Sequence, residues 1–422
     1  MEQIYTYKFS LLSLSGEVNL QVSSSNGPGI ETFMDDFRII FSRQDSESGG
    51  FIINAFQVYS PEIEKKINEL IEKYGEIDPT INKIPAYFRK LKANENFVFV
   101  PPGYGIDQSH RILLYNYLKH LEEGVPFEPL QAATDSLFKE IFAKYDVNSF
   151  GDKRISIGEP DKKKRVCRFC NNKRVPLTFK NKAHAISEGL GNKTVVLNDE
   201  CDGCNSEFSK NTEQDMIQYL SLYRTFFGVK GKGGTKKFSG TNFKVDDEGV
   251  AIFSILEEER KGNDPLDQVV SINTDNPIVL QNIYKTLCKY FLSVIDTKYL
   301  KHFQGTIDWI NGERQIDRLP VIAEVVTYHF FSSQPKLLTY IRKENNSDIP
   351  FAVGEFHFTC IVFVFIIPLC DQDSSQYLED DYKKFWDLFH HYNKSKGWSF
   401  KDYSSQKAAK FSFRVKFEKS DV

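Results

Sequence analysis

Along the first sixty residues, apolar and polar side chains alternate in short runs, as in Ile4-Tyr5-Thr6-Tyr7-Lys8-Phe9 and Phe51-Ile52-Ile53-Asn54-Ala55-Phe56. A period of two is the signature of half-buried strands. The turn-rich Ser23-Ser24-Ser25-Asn26-Gly27-Pro28-Gly29 lies between them, so a small set of strands is expected here. At Pro61 the period changes. Ile63, Ile67, Leu70 and Ile71 fall on one helical face, with Pro61 placed for a first turn. Two more helices are expected near 107–123 and 128–145, which makes residues 1–146 a mixed α+β domain.

Residues 147–166 break the pattern. Ser149-Phe150-Gly151-Asp152 and Gly158-Glu159-Pro160 read as linker, and Asp161-Lys162-Lys163-Lys164-Arg165 adds a basic run. A cysteine-bearing module is expected at 167–237. It ends in a helical stretch from Asp215 to Phe227, with Met216, Tyr219, Leu220, Tyr223 and Phe227 on one stripe, and a Gly/Lys loop over 228–237. Residues 238–422 then mix strands (near 251–256, 321–331 and 356–368) with helices near 277–295 and 376–392, a second mixed α+β domain.

The longest apolar stretch, Phe358 to Leu369, is too short for the ~20 residues of a membrane-spanning helix. Rich in Val, Ile and Phe, it reads as a buried strand. Met1-Glu2-Gln3-Ile4 lacks the basic and apolar opening of a secretory signal. The expectation is a soluble, cytoplasmic protein with no membrane partner. A length of 422 residues suggests two or three domains, and 41% hydrophobic with 26% charged content is that of a globular chain. The net charge of −3 gives no global pull towards nucleic acid, so any such partner must be argued from local patches.

The seven cysteines change the picture. Cys288, Cys360 and Cys370 sit singly in apolar surroundings and read as packing residues. Cys167-Arg168-Phe169-Cys170 and Cys201-Asp202-Gly203-Cys204 are two C-x-x-C knuckles. Zinc takes four tetrahedral soft ligands at ~2.3 Å, and each knuckle supplies two thiolates. Two pairs point to one closed, structural four-cysteine zinc site with no vacancy for a catalytic water.

Between the knuckles runs Lys182-Ala183-His184-Ala185-Ile186-Ser187-Glu188-Gly189-Leu190-Gly191-Asn192, then Leu197-Asn198-Asp199-Glu200, with Asn205 directly after the last cysteine. Over about fifty residues, Cys167 to Asp215, the chain resembles the HNH endonuclease family, in the branch whose ββα-metal core is clasped by two C-x-x-C pairs. The resemblance implies an α+β, multi-domain protein with a zinc-stapled module between mixed α/β domains. It also implies metal-dependent hydrolysis of phosphodiesters in nucleic acid, DNA rather than RNA, in the manner of bacterial defence or restriction effectors. His184 is then the general base on a water. Asn198 fixes the loop and the imidazole's orientation, and Asn205 helps hold a divalent cation, Mg²⁺ or Mn²⁺. Many relatives carry Asp or Glu immediately before the histidine, whereas this chain has Ala183. Glu188, Glu207 and Glu213 are candidates to replace it, with Glu207 taken beside Asn205 as a metal ligand.

Lys162, Lys163, Lys164, Arg165, Lys182, Lys230 and Lys232 are the candidate phosphate contacts. The competing expectation is a non-catalytic, zinc-dependent nucleic-acid-binding or adaptor protein, in which Ala183 marks a lost active site. Oligomeric state and the roles of the flanking domains have no sequence signature.

Overall fold

The computed structural model describes the chain apart from residues 1–2, 45–50, 78, 232–237, 241–242, 246–250, 254–268, 274–275, 328–330, 345–347, 394–396, 411 and 417–422. It is a mixed α/β protein that divides into two compact units, Met1–Phe142 and Ala143–Val422.

In the first unit, strands Tyr5–Ser13 and Gly16–Ser24 pair as an antiparallel hairpin. Asn96–Val100 joins the other edge of Tyr5–Ser13, and Phe56–Val58 closes a four-stranded sheet. Phe9, Phe37 and Phe99 meet under it, with the first two ring centroids 4.5 Å apart. The turn-rich segment is where expectation and structure part. It opens a helix, Gly27–Ile40, in which Asn26 caps Gly29 and a proline occupies the first turn. Polar capping residues look like a turn when read alone; the stripe Ile30, Phe33, Met34, Phe37 and Ile40 that follows is the buried face. Pro61–Tyr74 is helical as its pattern required, capped by Ser60, and helices Gln108–Glu123 and Phe127–Lys144 follow.

The second unit is built on a six-stranded antiparallel sheet. Its order is Ser399–Lys401, Ile322–Val326, Ile361–Ile366, Ala352–Thr359, Ser332–Arg342 and Tyr145–Phe150. The two strands Ala352–Thr359 and Ile361–Ile366 are buried at every position. Strands shielded on both faces read as continuous hydrophobic runs rather than alternations. One cover is the core helix, Leu280–Val294, in which Tyr290 packs on Phe356 and Tyr284 donates to the Ile366 carbonyl at 2.7 Å. Twelve of its fifteen residues are buried, so it is enclosed on nearly every side.

The segment expected as a linker, 147–166, instead contributes strands. Tyr145–Phe150 is the sheet edge beside Ser332–Arg342, and Ile155–Ile157 runs parallel to Val195–Leu197. Gly151 joins them in a left-handed conformation (φ +128°), and a Cβ there would lie 2.4 Å from the Pro335 carbonyl oxygen. This glycine therefore marks a close backbone approach and not slack. Nor do residues 167–237 and 238–422 have separate cores: Cys167, Phe169, Leu190 and Phe208 belong to one apolar cluster with Leu287, Phe291, Phe356 and Phe365. Among the described residues, no helix is long and apolar enough to cross a membrane.

Candidate functional site

The two knuckles close on each other. The Cys167, Cys170, Cys201 and Cys204 sulfurs all lie within 4.8 Å of one another, with Cys170 and Cys201 at 3.7 Å and no disulfide among them. Tetrahedral zinc at ~2.3 Å places its sulfurs ~3.8 Å apart, so the four side chains could hold that ion. The Cys201 amide donates to the Cys167 sulfur at 3.4 Å, and the Cys204 amide donates to the Cys201 sulfur at 3.5 Å. Such bonds favour thiolate. The hydrogen bond with Cys204 draws the Cys167 thiol down to about 5, while burial pushes Cys201 up to about 11 and the Cys167 bond pushes Cys204 higher still. Four thiolates this close need a cation between them to ionise together.

Arg168, inside the first knuckle, is buried and donates to the carbonyls of Leu292 and Ile295 at the end of the core helix. Asp199, 3.7 Å from Arg168, accepts from the Glu159 amide at 2.9 Å. The second knuckle caps a helix, Asp202–Lys210, whose first residue pins the preceding loop: Asp202 accepts from the amides of Lys180 and Asn181 at 2.9 Å each.

That loop leads into a two-residue strand, Ala183–His184, paired antiparallel with Val195–Leu197. Asn192 holds the connection. Buried, it donates to the carbonyls of Ile186 and Val195 at 2.6 and 2.9 Å and accepts from the amides of Thr194 and Val195. The result is a short strand pair followed by a helix, with the cysteine cluster alongside.

His184 is half-buried at the wall of a cleft of about 1040 Å³. Asn205, Glu188, Glu213, Asp202 and Lys182 line the same cleft. The Nδ1 of His184 is buried and has no hydrogen-bond partner. Burial lowers the imidazole pKa below its ordinary value; Lys182 and Lys289 assist, and Glu188 and Glu213 oppose. Burial thus favours the neutral ring, and its unpartnered Nδ1 is shielded from solvent.

The other candidates divide. Asn205 is in the cleft on the first turns of its helix. Asn198 is not; its amide donates to Ile157 at the far strand, and the side chain that ties the loop after His184 is that of Asn192. Glu207 lies outside the cleft lining and pairs with Arg174, which removes it as a partner for Asn205. Ala183 is buried on the face opposite His184, so no carboxylate could enter the cleft from there. Among the basic residues, Lys182 lines the cleft and Lys162, Lys163, Lys164 and Lys230 are exposed outside it. Arg165 braces its own loop, donating to the Glu159 and Pro160 carbonyls. Lys232 lies outside the described residues.

Two participants have little signature in the sequence. Asn192 carries only the signal of an Asn after Gly-Leu-Gly. Lys289 is a lone cation in Leu287-Cys288-Lys289-Tyr290-Phe291, and a charge in so apolar a run is the mark of a buried partner. Its ammonium lies 3.0 Å from Glu213, 3.2 Å from Glu200 and 3.2 Å from the His184 carbonyl.

Among the described residues, the four cysteines are the one group of three or more metal-ligating side chains drawn together. No protein-family model, curated protein or solved structure matches the chain.

Proposed function

We propose that this protein is a metal-dependent endonuclease of the HNH type, hydrolysing phosphodiester bonds in nucleic acid, with DNA favoured over RNA. The observation that carries the reading is His184: an imidazole whose neutral form burial favours, at the wall of a polar cleft, on a strand pair followed by a helix. His184 takes the proton from a water as it attacks phosphorus. Asp202 and Asn192 fix the chain on either side of it, so the ring meets the substrate already oriented. Lys182 and Lys210, on the cleft wall, attract the phosphodiester backbone. The four-cysteine set holds a structural zinc and keeps both knuckles in place.

A divalent cation, when bound, offsets charge on the phosphate and the leaving oxygen. Asn205 with Glu188 would hold it, and one or two protein oxygens plus the phosphate suffice for a Mg²⁺-like ion. The absence of a gathered acidic set among the described residues favours the second reading, a zinc-stapled nucleic-acid-binding protein without catalysis.

Plasmid and single-stranded RNA are incubated with the purified chain and Mg²⁺ or Mn²⁺, alongside His184→Ala. Cleavage lost in the variant supports the nuclease. Binding without cleavage under either metal, at one zinc per chain, selects the second reading.

A further inference from the structure

The core helix is apolar where it meets the sheet, yet it carries one ammonium into the interior on its other side. The side chain of Lys289 is 1% exposed, that of Glu200 0% and that of Glu213 8%. Nζ donates to Glu213 Oε1 and to the main-chain oxygen of His184, and Glu200 Oε2 stands at ion-pair distance. A buried ion pair adds little stability over apolar side chains of the same volume. Methionine would fill this space. What only a donor supplies is direction: a hydrogen bond on the His184 carbonyl.

That carbonyl stands where the strand gives way to the loop. On one side the backbone is held through the Val196 pairing, and on the other the Ala185 amide donates to Val195 at 3.1 Å. Fixing the carbonyl between them fixes the peptide plane, and with it the direction in which the His184 side chain leaves the backbone. The same ammonium holds Glu213, which lines the cleft, and Glu200, the neighbour of Cys201. The strand, the knuckle and Glu213, on the helix Thr212–Tyr219, thus converge on one atom contributed by the core helix.

We propose that Lys289 is a positioning residue for His184, through which the core helix sets the geometry of the cleft. This rests on His184 as the reactive base. The test compares the full, zinc-loaded chain with Lys289→Met/Glu200→Gln/Glu213→Gln, which removes the three buried charges together so that none is stranded. Zinc content and melting temperature should stay close to the parent, while kcat for nucleic-acid cleavage falls about 10- to 100-fold with KM little changed. The pKa of the His184 ring, followed by NMR, should move upward as the nearby cation is lost. A triple variant with parental kcat, pH profile and His184 titration overturns the inference and leaves the nuclease intact. If the parent does not cut, the nuclease reading fails, and the His184 titration still decides whether Lys289 governs that ring.

Discussion

Arg168 donates from Nη1 to the carbonyl of Ile295 at 2.7 Å. A residue between two cysteines of a knuckle thereby caps the helix that the C-terminal sheet rests on, across more than a hundred residues of chain. The same guanidinium nitrogen reaches Leu292 at 3.1 Å. Arg168→Ala leaves these carbonyls and Asp199 without their cation. We expect a loss of about 3 kcal/mol, read as a shift of the denaturant midpoint of the Ala143–Val422 unit. A shift below about 0.5 kcal/mol would show that the knuckle and the helix are stable independently.

Asn192 and Asn198 should separate cleanly. Asn192→Ala removes five hydrogen bonds within a buried turn, and about 2–3 kcal/mol of stability should go with them. Cleavage should fall as His184 loses its rigid neighbour. Asn198 bonds to Ile157 through its main chain, which Asn198→Ala keeps, so that change should cost under about 1 kcal/mol. Equal effects in urea titrations would contradict the placement of the loop.

Chelation tests the cysteine cluster. Cys201→Ser, or a strong chelator at neutral pH, should release one zinc per chain and lower the melting transition of the second unit. The Met1–Phe142 transition, followed by hydrogen exchange, should stay where it was. Zinc loss with an unchanged second unit would make the metal dispensable for the fold.

Glu355 predicts an acid transition. Its carboxylate is buried in the sheet and accepts from Tyr340 at 2.7 Å, Tyr392 at 2.6 Å and His357. Burial alone would raise its pKa, but the His357 bond and the charges of His357 and His391 outweigh burial and hold it at about 2. A depressed pKa means stability that is fully present above the ordinary value of 4.5 and lost as pH falls through about 2. Glu355→Gln should flatten the decline over that window. An identical acid slope in the variant would assign the transition to other carboxylates.

How much of this was legible follows from how far apart the partners stand in sequence. The cysteine pairs were plain because each knuckle puts two ligands three residues apart, and chemistry restricts what such a pattern does. The helix from Pro61 was plain because its cap and its stripe agree. The helix at Gly27–Ile40 was hidden by a cap that shares its residues with turns. Edge strand Tyr145–Phe150 looked like linker because its alternation is short and its partner comes late in the chain. At the site, His184 and Asn205 were singled out by the resemblance to the HNH motif, and the structure places both on one cleft. Glu207 was not to be judged without Arg174, and Lys289 could be joined to His184 only by the fold.

The edge strand Tyr145–Phe150 also has a consequence for synthesis. It leaves the ribosome well before the cysteines, and its hydrogen-bonding partner Ser332–Arg342 is made long after them. Cys204 emerges soon after the strand, but the apolar cluster that encloses the knuckles also needs Leu287 and Phe291 of the core helix, which come later still. Until translation reaches Arg342, the strand waits with an open edge, and this is the interval in which it can pair wrongly.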